Sequence, residues 1–166
     1  MLGLKKINRK KVRKMTSQPN NHLDIIHIVS CIIAFAGFAT SFIAGMIYII
    51  QARLLKAKRI SVIQTFVSAL DSTDRLTYRM VAFGFMMLTL GIVTGALWSQ
   101  STKGTFWNWD PKETWSLITW LVYAAYLHVR VLSGWRSKWT NCLLFAGFTC
   151  VLITIFGVNY LTRISH

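Results

Sequence analysis

Four tryptophans fall within the fourteen residues Trp107-Asn-Trp-Asp-Pro-Lys-Glu-Thr-Trp-Ser-Leu-Ile-Thr-Trp120, grouped around a short charged turn. Each indole offers a flat apolar face and a single polar N–H, which suits a membrane–water boundary or a large planar ligand. The turn is built to start a helix. Asp110 reads as the N-cap, Pro111 takes the first helical position where a missing N–H costs nothing, and Glu113 falls at the capping-box position. The other residues able to do chemistry are the histidines, because neutral imidazole is a good iron ligand. Of these, His27 and His166 flank apolar stretches, His128 lies within one, and His22 reads as a surface residue. A flat, greasy, partly anionic ligand such as heme is the sharpest candidate for such a set.

Other chemistries find less support. Cys31, Cys142 and Cys150 fall inside apolar stretches without CxxC or CxxCH spacing, so they read as buried thiols rather than disulfide, zinc or covalent-heme positions. The sequence contains no Ser/His/Asp arrangement, phosphate loop or paired catalytic carboxylates that would point to a hydrolase.

The elements that must position these residues are membrane helices. Hydrophobic residues make up 54% of the 166-residue chain and mean hydropathy is +0.45, with charge confined to short runs. Uncharged stretches run over Ile28–Ala52, Met80–Thr102, Thr114–His128 and Thr140–Thr162. Three exceed the roughly 20 residues needed to cross a hydrocarbon core, and the third spans only if its capped, Trp-rich start is counted. The expected fold is therefore all-α: a polytopic membrane helix bundle of about four transmembrane helices. A basic tail over residues 1–21 precedes a membrane domain over 22–166, and the tail has no secretory cleavage pattern.

The net charge of +14 would invite a nucleic-acid reading in a soluble chain; beside four spans it is better explained by the lipid bilayer, and no nucleic-acid partner is expected. Nine positive residues lie in the loops between spans one and two and between spans three and four. Only Lys103, Lys112 and Arg163 lie at the opposite ends. The positive-inside rule then puts the tryptophan loop outside. The tail, with seven basic residues from Lys5 to Lys14, belongs by span count on the loop's side and makes the balance nine against ten. Charge alone leaves the orientation undecided, and the inter-span loops are followed here.

The run from Trp107 to Trp115, continuing through Tyr126-Leu-His-Val-Arg130, closely resembles the tryptophan-rich "WWD" signature of CcsA/ResC cytochrome c biogenesis proteins. These form a branch of the heme-handling superfamily that also contains CcmC and CcmF. Asp74-Arg-Leu-Thr-Tyr-Arg79 and Leu88-Thr-Leu-Gly-Ile-Val-Thr-Gly-Ala-Leu-Trp98 look like the helix that leads into the signature, and Phe156-Gly-Val-Asn-Tyr160 through His166 looks like the family's last span. The resemblance covers roughly Leu23 to His166. It implies an extracytoplasmic tryptophan loop that presents heme b, as substrate or ligand, with Trp98, Trp107, Trp109, Asp110 and Trp115 forming the platform. His27 and His166 would hold the iron there, and His128 would hold heme within the membrane on its way across. The implied function is cytochrome c maturation, as part of a heme lyase or synthase complex, in a bacterial cytoplasmic or plastid thylakoid membrane.

Residue spacing accords with two stations. At about 1.5 Å per residue His128 lies roughly 27 Å from Asp110 along one helix, toward the opposite face, with small Ala124 and Ala125 a turn before it. Gly91 and Gly95 read as a GxxxG packing pair. Asp71 and Asp74 ahead of Arg75 and Arg79 read as capping and pairing. Two departures stand out: Lys103 precedes Gly104 where the family usually carries another tryptophan, and His128 has no partner histidine within a span. The expected partners are therefore apocytochrome c and either a CcsB/ResB-like subunit or a missing N-terminal half. Two alternatives remain: heme delivery to a separate chaperone without ligation, and a diheme electron-transfer anchor.

Overall fold

A computed structural model describes residues 21–57, 63–133 and 138–157, and every regular element in them is helical. Four α-helices, α1 (Asn21–Ala57), α2 (Ile63–Lys103), α3 (Pro111–Ser133) and α4 (Lys138–Leu152), run up and down in turn, and α4 passes into a π-helical turn over Ile153–Gly157. Each is long and apolar enough to cross a membrane, over His22–Leu54, Val67–Lys103, Pro111–Leu132 and Trp139–Gly157. The protein is an integral membrane helix bundle. Its outer surface exposes Ile32, Ile43, Met86, Leu90 and Val93, the pattern expected where the solvent is lipid rather than water. The third span, short in the sequence, reaches 22 residues because helix continues from Pro111 to Leu132, past Arg130.

α1 and α2 form the closest pair. Small residues repeat along the buried face of α1 (Ser30, Ala34, Ser41, Ala44), and a matching line on α2 runs through Thr77, Val81, Gly84 and Leu88. With no side chain at Gly84 the Phe38 ring comes so near that an added Cβ would lie 2.9 Å from its edge and 3.1 Å from the Ala34 carbonyl. Close approach of this kind maximises dispersion contacts, which take over as the packing force where burial from water is absent.

Aromatic pairs join the remaining helices. Phe38 of α1 stacks on Tyr123 of α3 at 3.8 Å between centroids, Phe42 packs on Phe145 and Phe148 of α4, and Trp120 of α3 stacks on Phe85 of α2. The Trp120 N–H donates to the Thr89 hydroxyl at 2.9 Å, so this indole is satisfied inside the bundle. At the end away from the tryptophan loop, Arg130 of α3 grips Asp74 of α2 with both guanidinium arms, one at 2.9 Å, beneath the Tyr78 ring. The sequence reading set Asp74 beside Arg75 and Arg79 on its own helix. The pairing expected within the helix is made by Asp71, which takes Arg75 at 2.9 Å on the surface, whereas Asp74 turns inward to Arg130 and fastens α2 to α3.

Candidate functional site

The connection between α2 and α3 is short and heavily pinned. Gly104 sits at φ 77°, and its N–H donates to the Gln100 carbonyl at 3.1 Å, the left-handed cap that stops α2. Asn108 then anchors the turn at several points. Its backbone N–H donates to Glu113 at 2.9 Å, its side-chain amide donates to Ser99 at 3.0 Å, and its carbonyl oxygen accepts from Thr105. The Asp110 carbonyl accepts the first α3 bond from Thr114 at 3.0 Å, in keeping with an N-cap position. The Asp110 carboxylate instead pairs with Lys103 at 3.1 Å, and Glu113 reaches two residues further back than a capping box requires. These bonds hold Trp109 at φ 56°, a left-handed conformation that costs a non-glycine residue on the order of 1–2 kcal/mol.

Beneath this turn lies a cleft of about 430 Å³, within the range of roughly 300–1,000 Å³ typical of ligand and cofactor sites. Residues from five parts of the chain line it. α1 contributes Asp24, His27, Cys31 and Phe35; α2 contributes Gly95, Trp98, Ser99 and Lys103; the turn contributes Phe106, Trp107 and Asp110. Lys112, Glu113 and Ser116 complete it from α3, and Thr154 from the π-helical turn. The floor is apolar and the mouth carries both signs of charge. The His27 Nδ1–H donates to the Gly91 carbonyl at 2.7 Å, and the Cys31 sulfur lies 3.9 Å from the same nitrogen. The indole N–H of Trp98 is buried with no acceptor, an orphan donor at the cleft wall. Among the described residues no group of three His, Cys, Asp or Glu could hold a metal ion, and His27 is the one described imidazole in the cleft lining.

The structure thus gathers His27, Trp98, Trp107 and Asp110 around one space. Trp109 does not join them: it packs edge-on against Trp107 at 6.2 Å and is 72% exposed. Trp115 is half-buried outside the lining, because it stands about 100° round α3 from its lining neighbour Ser116, away from the side that carries Lys112, Glu113 and Ser116. His128 stands exposed on the outer side of α3, far along the helix from the tryptophan turn, in line with Leu121, Ala125 and Leu132. His166 and residues 1–20 of the basic tail lie outside the described residues. Sequence reasoning missed Cys31, whose four-residue offset from His27 on a helix was the available signal, and Ser99, for which no local pattern existed.

The model of the cytochrome c assembly protein family matches residues 8–166. Among curated proteins, the chain is 49% identical over 96 residues to cytochrome c biogenesis protein CcsA of Synechocystis sp., a match covering 58% of this chain and 29% of that one. It is 48% identical over 102 residues to CcsA of Porphyra purpurea, covering 61% and 32%, and 39% identical over 123 residues to CcsA of Crocosphaera subtropica, covering 74% and 37%. The chain therefore spans about a third of the length of the curated relatives it matches. No solved structure matches it.

Proposed function

This chain belongs to the cytochrome c assembly protein family, and from that premise we propose that its tryptophan-turn cleft holds heme b and presents it for covalent attachment to apocytochrome c. The observation that carries the reading is the convergence of His27, Trp98 and Trp107 on one cleft from two helices and the turn. The cargo's chemistry matches the donors. His27 offers an axial nitrogen, Trp98 and Trp107 offer flat apolar walls, and the orphaned Trp98 N–H with Lys112 offers donors for carboxylate groups. His166 is the proposed second axial ligand, and Asp110 holds the turn through Lys103. The chain's own work is positioning: it keeps the iron ligated and the macrocycle edge held for thiol addition, without acid–base catalysis.

His128, with Ala125 beside it on the outer face of α3, is the proposed inner station. A second ligand there would come from a helix outside this chain, either another part of a protein as long as the relatives or a CcsB/ResB-like subunit. The nine-charge end is proposed to face the cytoplasm or stroma and the tryptophan turn the opposite side. A reporter fused after Thr102 should be active outside and one after Gly134 inside, and the reverse pattern would invert the faces.

The cleft reading separates two neighbouring tryptophans. Trp107→Ala should weaken heme retention by about 1–2 kcal/mol, roughly 5–30-fold. Trp109→Ala, which removes an exposed ring outside the lining, should change heme absorbance per protein little. Equal losses for both would indicate an aromatic belt rather than a heme wall.

A further inference from the structure

We infer that the Gly91 carbonyl and the notch at Gly95 form a clamp that fixes the tautomer and angle of the His27 ring, leaving Nε2 as the lone-pair nitrogen toward the cleft. The inference rests on the proposed role of His27 and adds residues that act through it.

A carbonyl oxygen can only accept, so at 2.7 Å from it the His27 Nδ1 must carry the proton. In a neutral imidazole the other nitrogen, Nε2, then holds the free lone pair. The neighbouring Thr94 hydroxyl does not displace this bond: its nearer acceptor is the Leu90 carbonyl at 2.7 Å, against 3.1 Å to Gly91. Cys31, at 3.9 Å from Nδ1, is too distant to compete for the proton.

Gly95 supplies the space. A Cβ there would lie 2.8 Å from Nδ1 and 2.9 Å from Cε1 of His27, so the Nδ1–Cε1 edge of the imidazole sits against bare helix backbone one turn after the carbonyl that holds it. Accepting carbonyl and missing side chain thus fall four residues apart on one face of α2, where both meet the same ring. The GxxxG pair, which the sequence assigns to helix packing alone, acquires a second task at its Gly95 end. Partners of this kind orient metal-binding imidazoles and raise their basicity, and their loss commonly costs about 10–100-fold in affinity.

The test uses the full chain in detergent micelles with nitrogen-15-labelled histidine. In the heme-free protein, the His27 ring should show its proton on Nδ1. Gly95→Ala should shift His27 toward the other tautomer or a mixture and lower heme retention about tenfold. Gly84→Ala forces a similar overlap, 2.9 Å onto Phe38, about three turns further along the same helix pair. It should leave the His27 tautomer unchanged, which separates the clamp from general loosening of α1 on α2. A wild-type ring protonated on Nε2 overturns the inference without any variant, and so does an unaltered tautomer in a folded Gly95→Ala protein. Unchanged heme binding in His27→Ala would sink the heme reading instead, while leaving the observed tautomer standing.

Discussion

His27→Ala should strip the tryptophan-turn cleft of most of its heme. Loss of a ligand should exceed the roughly 10–100-fold cost of losing a ligand's supporting partner, so heme absorbance per protein should fall at least about tenfold. Added imidazole should restore part of it by filling the space the ring leaves between Gly91 and the cleft. His128→Ala should act differently, because it stands on the far, outer side of α3. On this chain alone it should change bound heme little. When the rest of a full-length assembly is co-expressed, bound heme should rise, and His128→Ala should abolish that gain while His27→Ala leaves an inner fraction. Identical spectra for both variants in the assembled protein would sink the two-station scheme. Full cytochrome c maturation by residues 1–166 in cells lacking every other biogenesis subunit would remove the need for an outside partner at His128.

The second large effect concerns the opposite end of the bundle. Asp74 and Arg130 leave only 18% and 12% of their side chains exposed, so Asp74→Ala would strand a guanidinium between helices. Breaking a buried pair costs about 3–5 kcal/mol, and the lower end applies because Arg130 lies near the end of α3 and can reach toward the head-group region. Unfolding in mixed micelles should report a loss of about 3 kcal/mol. Replacing both partners with apolar residues, Asp74→Leu with Arg130→Met, should recover most of it, since neither charge is then left alone. Asp71→Ala breaks only the exposed pair with Arg75 and should cost well under about 1 kcal/mol. Comparable losses for Asp71→Ala and Asp74→Ala would mean that Asp74 is not the fastening point between α2 and α3.

Much of this was legible in one dimension because it is set by local rules. Uninterrupted apolar stretches must become helices in a bilayer, where backbone groups have no water to bond, so the four spans follow from composition and length. The start of α3 follows from Asp110-Pro111, because caps depend on neighbours within one turn; the left-handed Gly104 that stops α2 is seen in the structure. The tryptophan-rich order carried the family assignment that the comparisons support.

What local rules do not reach is the pairing of residues far apart in the chain. Glu113 stands at a capping-box position, yet its carboxylate goes to Asn108 because Ser99 and Thr105 pull Asn108 into the turn. The same pinning turns Trp109 outward, so that of the closely spaced tryptophans Trp107 lines the cleft and Trp109 does not. Asp74 has two arginines within a helical turn or so and takes a third, 56 positions away, because α3 brings Arg130 alongside. His27 meets the Gly91 carbonyl across 64 positions for the same reason. The sequence by itself determined the four spans, the start of α3 and the chemical groups at hand, while α1 and α2 run beyond their uncharged stretches, to Asn21 and Ile63, because charged residues at a span's end do not stop a helix. Only the antiparallel register of α1, α2 and α3 decided which groups share a space, since that register is set by small residues and ring stacks summed along whole helices and by no single motif.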